Sequence, residues 1–167
     1  MENFEMMESM NDEAAELRDD LSNKYLTFKI DGQMYGISIA NVIEIVKIQP
    51  ATTMPELPFY AKGIINLRGR VLPLIDVNLR FNKPEQEYTD RTCIIIVDID
   101  DKHVGFIVDA VDEVLDIDSE KISPPPAFSG GGQNRFVTGV GKMEKHIVLL
   151  LNARLLVSDD MMSYDFQ

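Results

Sequence analysis

The chain has 167 residues, of which 45% are hydrophobic and 26% charged, and its formal net charge is −12. That length supports one domain or two small intertwined ones, and no apolar run approaches the roughly 18 residues that span a bilayer. The acid argues against nucleic acid as a partner, which needs a basic face, and it is concentrated at the ends: residues 1–22 carry −7 and residues 158–167 carry −3, leaving −2 for the body.

The N-terminal stretch is acidic and lacks the apolar centre of a signal peptide. Within it Met7, Met10, Ala14, Leu17 and Leu21 recur at spacings of three and four, the stripe of an amphipathic helix, although a frayed acidic tail of chance periodicity fits as well. From residue 24 the pattern turns to β. Residues 25–30 alternate, with Leu26, Phe28 and Ile30 on one face. Asp31-Gly32 signals a hairpin, and residues 35–39 form the return strand. Residues 40–48 read as a helical turn or a strand, the β-branched content favouring strand in the second half. Pro50, Pro55 and Pro58 mark a loop.

Residues 62–81 are the stretch around which the rest is arranged. Ile64 to Leu67 is a short apolar run, Arg68-Gly69-Arg70 a turn, and Val71 to Ile75 a second run holding Pro73. This is a hairpin, with Pro73 expected at an edge or bulge because it cannot donate to a ladder. Asp76 is placed to cap one helical turn ending at Phe81. Arg68 and Arg70 either keep a hairpin tip wet or hold out a guanidinium for a partner.

Residues 82–90 are polar and form a surface connection. Residues 91–99 read as a buried strand containing the single cysteine, Cys93, a buried small hydrophobe that leaves no internal disulfide and points to the cytosol by default. Asp100-Asp101-Lys102 is a turn and residues 104–108 its return strand. Residues 111–117 repeat the helix-or-strand ambiguity. Pro124-Pro125-Pro126 and Gly130-Gly131-Gly132 read as an irregular loop. Residues 136–143 and 147–151 form a last hairpin, and residues 152–157 a last short helix.

The chain repeats itself. A shift of 69 lays Phe28 to Asp31 on Val97 to Asp100, Tyr35-Gly36 on Val104-Gly105, Val42 to Glu44 on Val111 to Glu113, and Phe59 on Phe128. A shift of 76 then lays Tyr60 on Phe136, Gly63 on Gly139, Val71 on Ile147 and Asp76 on Asn152. The difference is a seven-residue insertion at residues 129–135. Two copies of a five-strand unit imply two small barrels related by approximate two-fold symmetry. Each would be marginal alone, so a shared core is expected.

Catalytic constellations are missing. His103 and His146 read as exposed turn histidines. Asp98, Asp100 and Asp101 read as solvated turn acids, the alternative being a divalent-metal enzyme built on those three. The glycine run lacks the Lys-Ser/Thr of a phosphate loop. Apolar barrels with several hairpin tips and no reactive centre suggest a binding scaffold.

Asn66-Leu67-Arg68-Gly69, followed by Val71, Pro73 and Asp76, resembles the signature of CheW-type chemotaxis coupling proteins. Tyr35-Gly36-Ile37 before Val42 to Ile45, Val104-Gly105 with Val108-Asp109, and Thr138 to Gly141 are similar to that family too. The resemblance covers about residues 24–157, with repeats at about 24–90 and 91–157 between acidic tails at 1–23 and 158–167. It implies a mainly β fold of two intertwined five-stranded SH3-like barrels and no catalysis or cofactor. It implies an adaptor that links cytoplasmic tips of chemoreceptors (methyl-accepting chemotaxis proteins) to the regulatory domain of the histidine kinase CheA, without entering the membrane. Such an adaptor is expected to be a monomer alone and to form rings in arrays.

By motif match the resemblance assigns Arg68, Val42, Gly63 and Ile94 to the receptor, and Glu44, Ile43 and Phe128 to the kinase. Ser123 stands where relatives often have a basic residue. Phe59, the counterpart of Phe128, is expected to serve stability through a buried ring. The same domain occurs within CheA and CheV, but the chain's length suggests a free coupling protein.

Overall fold

A computed structural model describes residues 21–126, 135–157 and 159–162. The first repeat runs β1 (Lys24–Ile30), β2 (Gln33–Ser38), β3 (Val42–Lys47), β4 (Ala61–Leu67), β5 (Arg70–Asp76) and α1 (Val77–Arg80). The second runs β6 (Cys93–Ile99), β7 (Lys102–Val108), β8 (Ala110–Asp116), β9 (Ile122–Ser123), β10 (Val137–Lys142), β11 (Ile147–Leu151) and α2 (Ala153–Leu156), with α3 (Asp159–Met162) after it. The chain is mainly β, as its alternating runs predict.

The tight turns follow their residue types. Asp31 and Gly32 have φ of 50° and 80°, and Arg68 and Gly69 have φ of 51° and 84°. Positive φ at both loop positions matches the twist of the flanking strands. The second turn is therefore two residues long, and Arg70 opens β5 instead of belonging to the loop. Ile39 likewise leaves β2 for a 3-10 turn, Ile39–Asn41, capped by the Ser38 hydroxyl. Both ambiguous stretches resolve as strands, β3 and β8, because each pairs with one neighbour along a β-branched run. Asp76 caps α1, accepting from the Leu79 N–H at 3.3 Å, and Asn152, its repeat counterpart, caps α2.

Pro73 sits inside the sheet without an ungratified partner. It lies opposite Ile64, and Ile64 directs both backbone groups away, to Thr52 at 2.8 and 2.9 Å. No donor is needed towards β4, and pairing with β7 begins only at Leu74. Pro73 thus has an edge-like position within a central strand.

The two sheets run β8-β1-β2-β11-β10-β9 and β3-β6-β7-β5-β4. Each combines the first hairpin of one repeat with later strands of the other, which is how the repeats intertwine. Each also closes on itself: the chain leaving β3 returns through Thr52 to pair with β4, and the chain leaving β8 returns as β9 to pair with β10. The registers obey the two shifts read in the sequence. Leu74 lies opposite Gly105 and Leu150 opposite Gly36; bulges fall between Ala61 and Gly63 and between Val137 and Gly139.

A main apolar core joins the two barrels through Phe28, Tyr35, Phe81, Val97, Phe106, Phe136 and Leu156, among others. Smaller clusters fill each barrel, one around Leu72, Ile94 and Ile96, the other around Ile117, Val148 and Leu150. Each large apolar side chain so buried contributes roughly 1.5–3 kcal/mol. Arg80 binds the repeats together where they meet. Its guanidinium lies over Tyr60 at 4.3 Å and over Phe136 at 4.7 Å, and its Nε–H donates to the Leu156 carbonyl at 2.7 Å.

Four expectations fail. Phe59 is 67% exposed, touching Tyr60 edge-on, and it is Tyr60 that turns inward. His103 is on β7, not in the turn, with Nε2 4.0 Å from Asp98. Cys93, expected to be buried, opens β6 only half-buried, and that burial pushes its thiol pKa up. The expected C-terminal tail forms α3, whose Met161 is buried in the main core because its apolar side chain covers the shared interior.

Candidate interaction surface

Arg68 projects from the β4–β5 tip and is exposed. Its guanidinium is already occupied. Nη1 donates to both carboxylate oxygens of Glu44, at 3.1 and 3.2 Å, and Nη2 donates to Oε2. The fork matches the carboxylate as a planar guanidinium can, and the Glu44 hydrogen bond and charge hold the Arg68 pKa above its ordinary value.

Glu44 lies on β3, which pairs with β6 on one side only. The β3 ladder shifts register between Val42 and Glu44. Val42 packs against the main core, whereas Ile43 and Ile45 remain 43% and 44% exposed. One strand therefore carries an unpaired edge, two outward isoleucines and, between them in sequence, the carboxylate of an ion pair. Edges of this kind are templates for association unless blocked.

The neighbouring β6–β7 tip supports this surface. Arg70 Nη2 donates to the Asp101 carbonyl at 3.3 Å, and Asp98 Oδ1 accepts from the Asp101 N–H at 3.0 Å. Asp100 pairs with Arg154 at 3.3 Å. Asp98 and Asp100 thus use their carboxylates on different partners and Asp101 enters through its backbone, and among the described residues no group of three or more His, Cys, Asp or Glu is arranged to hold a metal. An apolar depression of about 410 Å³, lined by Ile48, Pro50, Leu74, Tyr88 and Ile107 among others, offers no reactive group beyond Lys62 and the Tyr88 phenol. That phenol donates to buried Asp76 at 2.9 Å.

The residues assigned by motif fall in different settings. Arg68 and Glu44 come together at the surface, Ile43 is exposed on the same strand as Glu44, and Val42 is half-buried against the main core. Gly63 and Ile94 do not join them as contact residues. Ile94 is 0% exposed. Gly63 has φ of +136°, and a Cβ there would stand 2.3 Å from the Thr52 carbonyl oxygen. Any influence of these two on a partner must pass through barrel shape, because neither is placed to touch one. Phe128 lies outside the described residues. Ser123 is half-buried on β9, opposite Val140.

Sequence reasoning missed the pairing of Arg68 with Glu44. The two are 24 positions apart, and only the closure of the barrel brings β3 beside the β4–β5 tip. The repeat does show that the second end differs. The shifts of 76 and 69 put Glu144 where Arg68 stands, His146 in place of Arg70 and Asp112 in place of Ile43. At that end Lys29, Gln33, Asp112, His146 and Ile147 help line a depression of about 450 Å³.

Comparison with known proteins gives the family. The model of the CheW-like domain matches residues 24–161. The chain is similar to a probable chemotaxis protein CheW of Rhizobium etli, 37% identical over 80% of this chain and 86% of that protein. It is similar to the chemotaxis protein CheW of Bacillus subtilis, 34% identical over 82% of this chain and 88% of that protein. Among solved structures it resembles the scaffolding protein TtCheW from Thermoanaerobacter tengcongensis, with a TM-score of 0.73 and 33% identity over 87% of this chain and 96% of that one. No helix among the described residues is long and apolar enough to cross a membrane. The chain therefore belongs to the CheW family of chemotaxis coupling proteins.

Proposed function

We propose that this chain is a non-catalytic adaptor coupling the cytoplasmic tips of chemoreceptors to the regulatory domain of CheA. The reading is supported by relatives that carry the name chemotaxis protein CheW and by a solved structure described as a scaffolding protein. The observation that carries the reading furthest is the surface formed by Arg68, Glu44, Ile43 and Ile45. A rigid hairpin tip presents a cation next to a sticky strand edge, and truncating it would leave the core untouched. Arg68 and Val42 serve the receptor; Glu44 and Ile43 serve the kinase. Since Arg68 and Glu44 are partners in the free chain, the receptor and kinase surfaces meet at one ion pair. Gly63 and Ile94 act on receptor coupling indirectly, by fixing the first barrel's shape. The protein is cytoplasmic and is recruited to membrane receptor arrays; the acidic segment 1–23 lies outside the adaptor domain, whereas the C-terminal acidic segment belongs to it at least as far as Met161, which is buried in the main core.

Phe128 serves a second, ring-building contact with the kinase. Head-to-tail contacts between similar barrels close into rings when the rotation permits, and weak single contacts gain from being linked. Phe128→Ala is expected to abolish array formation while a one-to-one complex with CheA persists. Loss of the one-to-one complex, or intact arrays, would overturn the two-ended reading. Alone, the chain is a monomer.

A further inference from the structure

We propose that Asn66 is a positioning residue for Arg68; the inference rests on the coupling role given to Arg68 above. The β4–β5 loop has only two residues, Arg68 and Gly69, closed by the pair Leu67 and Arg70. The ladder makes no use of the Gly69 N–H. Asn66, exposed one residue before the closing pair, supplies the acceptor: its Oδ1 takes the Gly69 N–H at 2.9 Å. Arg68 itself is held at φ 51°, in the left-handed region that a residue with a Cβ occupies at some cost. The Asn66 bond offsets that cost and fixes the direction in which the Arg68 side chain leaves the tip.

The β6–β7 tip shows what is particular about this choice. There Asp98 stands in the same place relative to its turn and takes the Asp101 N–H at 3.0 Å. The device is the same, but the acceptor is a carboxylate and the turn residue beside it is Asp100. At the Arg68 tip the acceptor is a neutral amide. A carboxylate at position 66 would keep the turn and also compete with Glu44 for the guanidinium two residues away. Asn66 therefore orders the loop and leaves the cation to Glu44, and so to whatever carboxylate on a partner displaces Glu44.

The test uses the full chain and a receptor cytoplasmic fragment, with affinity measured by titration calorimetry. Asn66→Ala is expected to weaken binding about five- to tenfold, the scale of one ordinary hydrogen bond, but to add nothing in an Arg68→Ala background. Asn66→Asp is expected to keep the thermal midpoint and still weaken binding. A second readout needs no receptor: the Arg68 Nε–H resonance should be as ordered as the backbone in the wild type and lose that order in Asn66→Ala. If Asn66→Ala has no effect on either readout, or weakens binding equally with and without Arg68, Asn66 does not act through Arg68 and the proposal falls. If Arg68→Ala binds the receptor fragment as tightly as the wild type, the coupling role of Arg68 fails instead. The Nε–H order then decides whether Asn66 positions the guanidinium.

Discussion

Replacing Arg68 by Ala removes a guanidinium from a hairpin tip and leaves Leu67 and Val71 in their ladder. The Glu44 pair is solvent-facing, and exposed pairs add little to stability. The expected outcome is an unfolding midpoint within about 2 °C of the wild type and a weakened receptor complex, checked by calorimetry beside a binding assay. Phe59 makes the opposite point. Because Phe59 is 67% exposed, Phe59→Ala should cost less than about 1 kcal/mol, whereas Phe106→Ala, fully buried in the shared core, should cost roughly 3–5 kcal/mol. Denaturant unfolding of the two variants tests the contrast. The repeat aligns Phe59 with Phe128 and Tyr60 with Phe136, but alignment alone does not say which of two adjacent rings faces inward. The answer lies with Arg80, which lies over Tyr60 and Phe136, a contact between residues far apart in the chain.

Hairpins were the legible elements, because their turns advertise positive φ through Asp-Gly and Arg-Gly and their strands alternate. The strands β3 and β8 were not, since each is a half-covered edge whose partner belongs to the other repeat. Repeat-related pairs also differ in tightness in ways no pattern shows. A Cβ on Gly105 would stand 2.6 Å from Leu74 Cδ2 and 2.7 Å from Ile94 Cγ2, whereas on its counterpart Gly36 the nearest atoms are at 3.2 Å. Gly105→Ala should therefore destabilise by roughly 1–3 kcal/mol through overpacking, and Gly36→Ala by less; equal midpoints in urea would contradict the register. The connection between the repeats is pinned by the bond from Tyr88 to Asp76. Burial pushes the phenols of Tyr88 and Tyr35 above their ordinary value of 10.0, with Asp76 and Asp31 respectively adding to the rise. In the unfolded chain these phenols ionise first, so their contribution is complete below pH 10 and is lost as pH rises beyond it. Titration followed at 295 nm should show Tyr35 and Tyr88 lagging until the chain unfolds. Tyr35 and Tyr88 ionising near pH 10 in a folded chain would contradict this.

At the scale of the molecule, the two shifts of 69 and 76 were enough to infer two related units, but not that each sheet borrows strands from the other repeat. That exchange is why the core is shared, and why the Arg68 surface combines β3, the β4–β5 tip and a buttress from β6–β7. It also makes two ends of one design with different chemistry: Arg68 and Ile43 at one, Glu144 and Asp112 at the other. An adaptor that bridges two partners needs such unlike ends. The most direct measurement is co-sedimentation of a receptor cytoplasmic fragment with the CheA regulatory domain, mediated by this chain. The wild type should bring both down together, and Arg68→Ala should retain CheA, keep its thermal midpoint and lose the receptor. A wild-type chain that fails to bridge them, or an Arg68→Ala chain that bridges them unimpaired, would contradict the account.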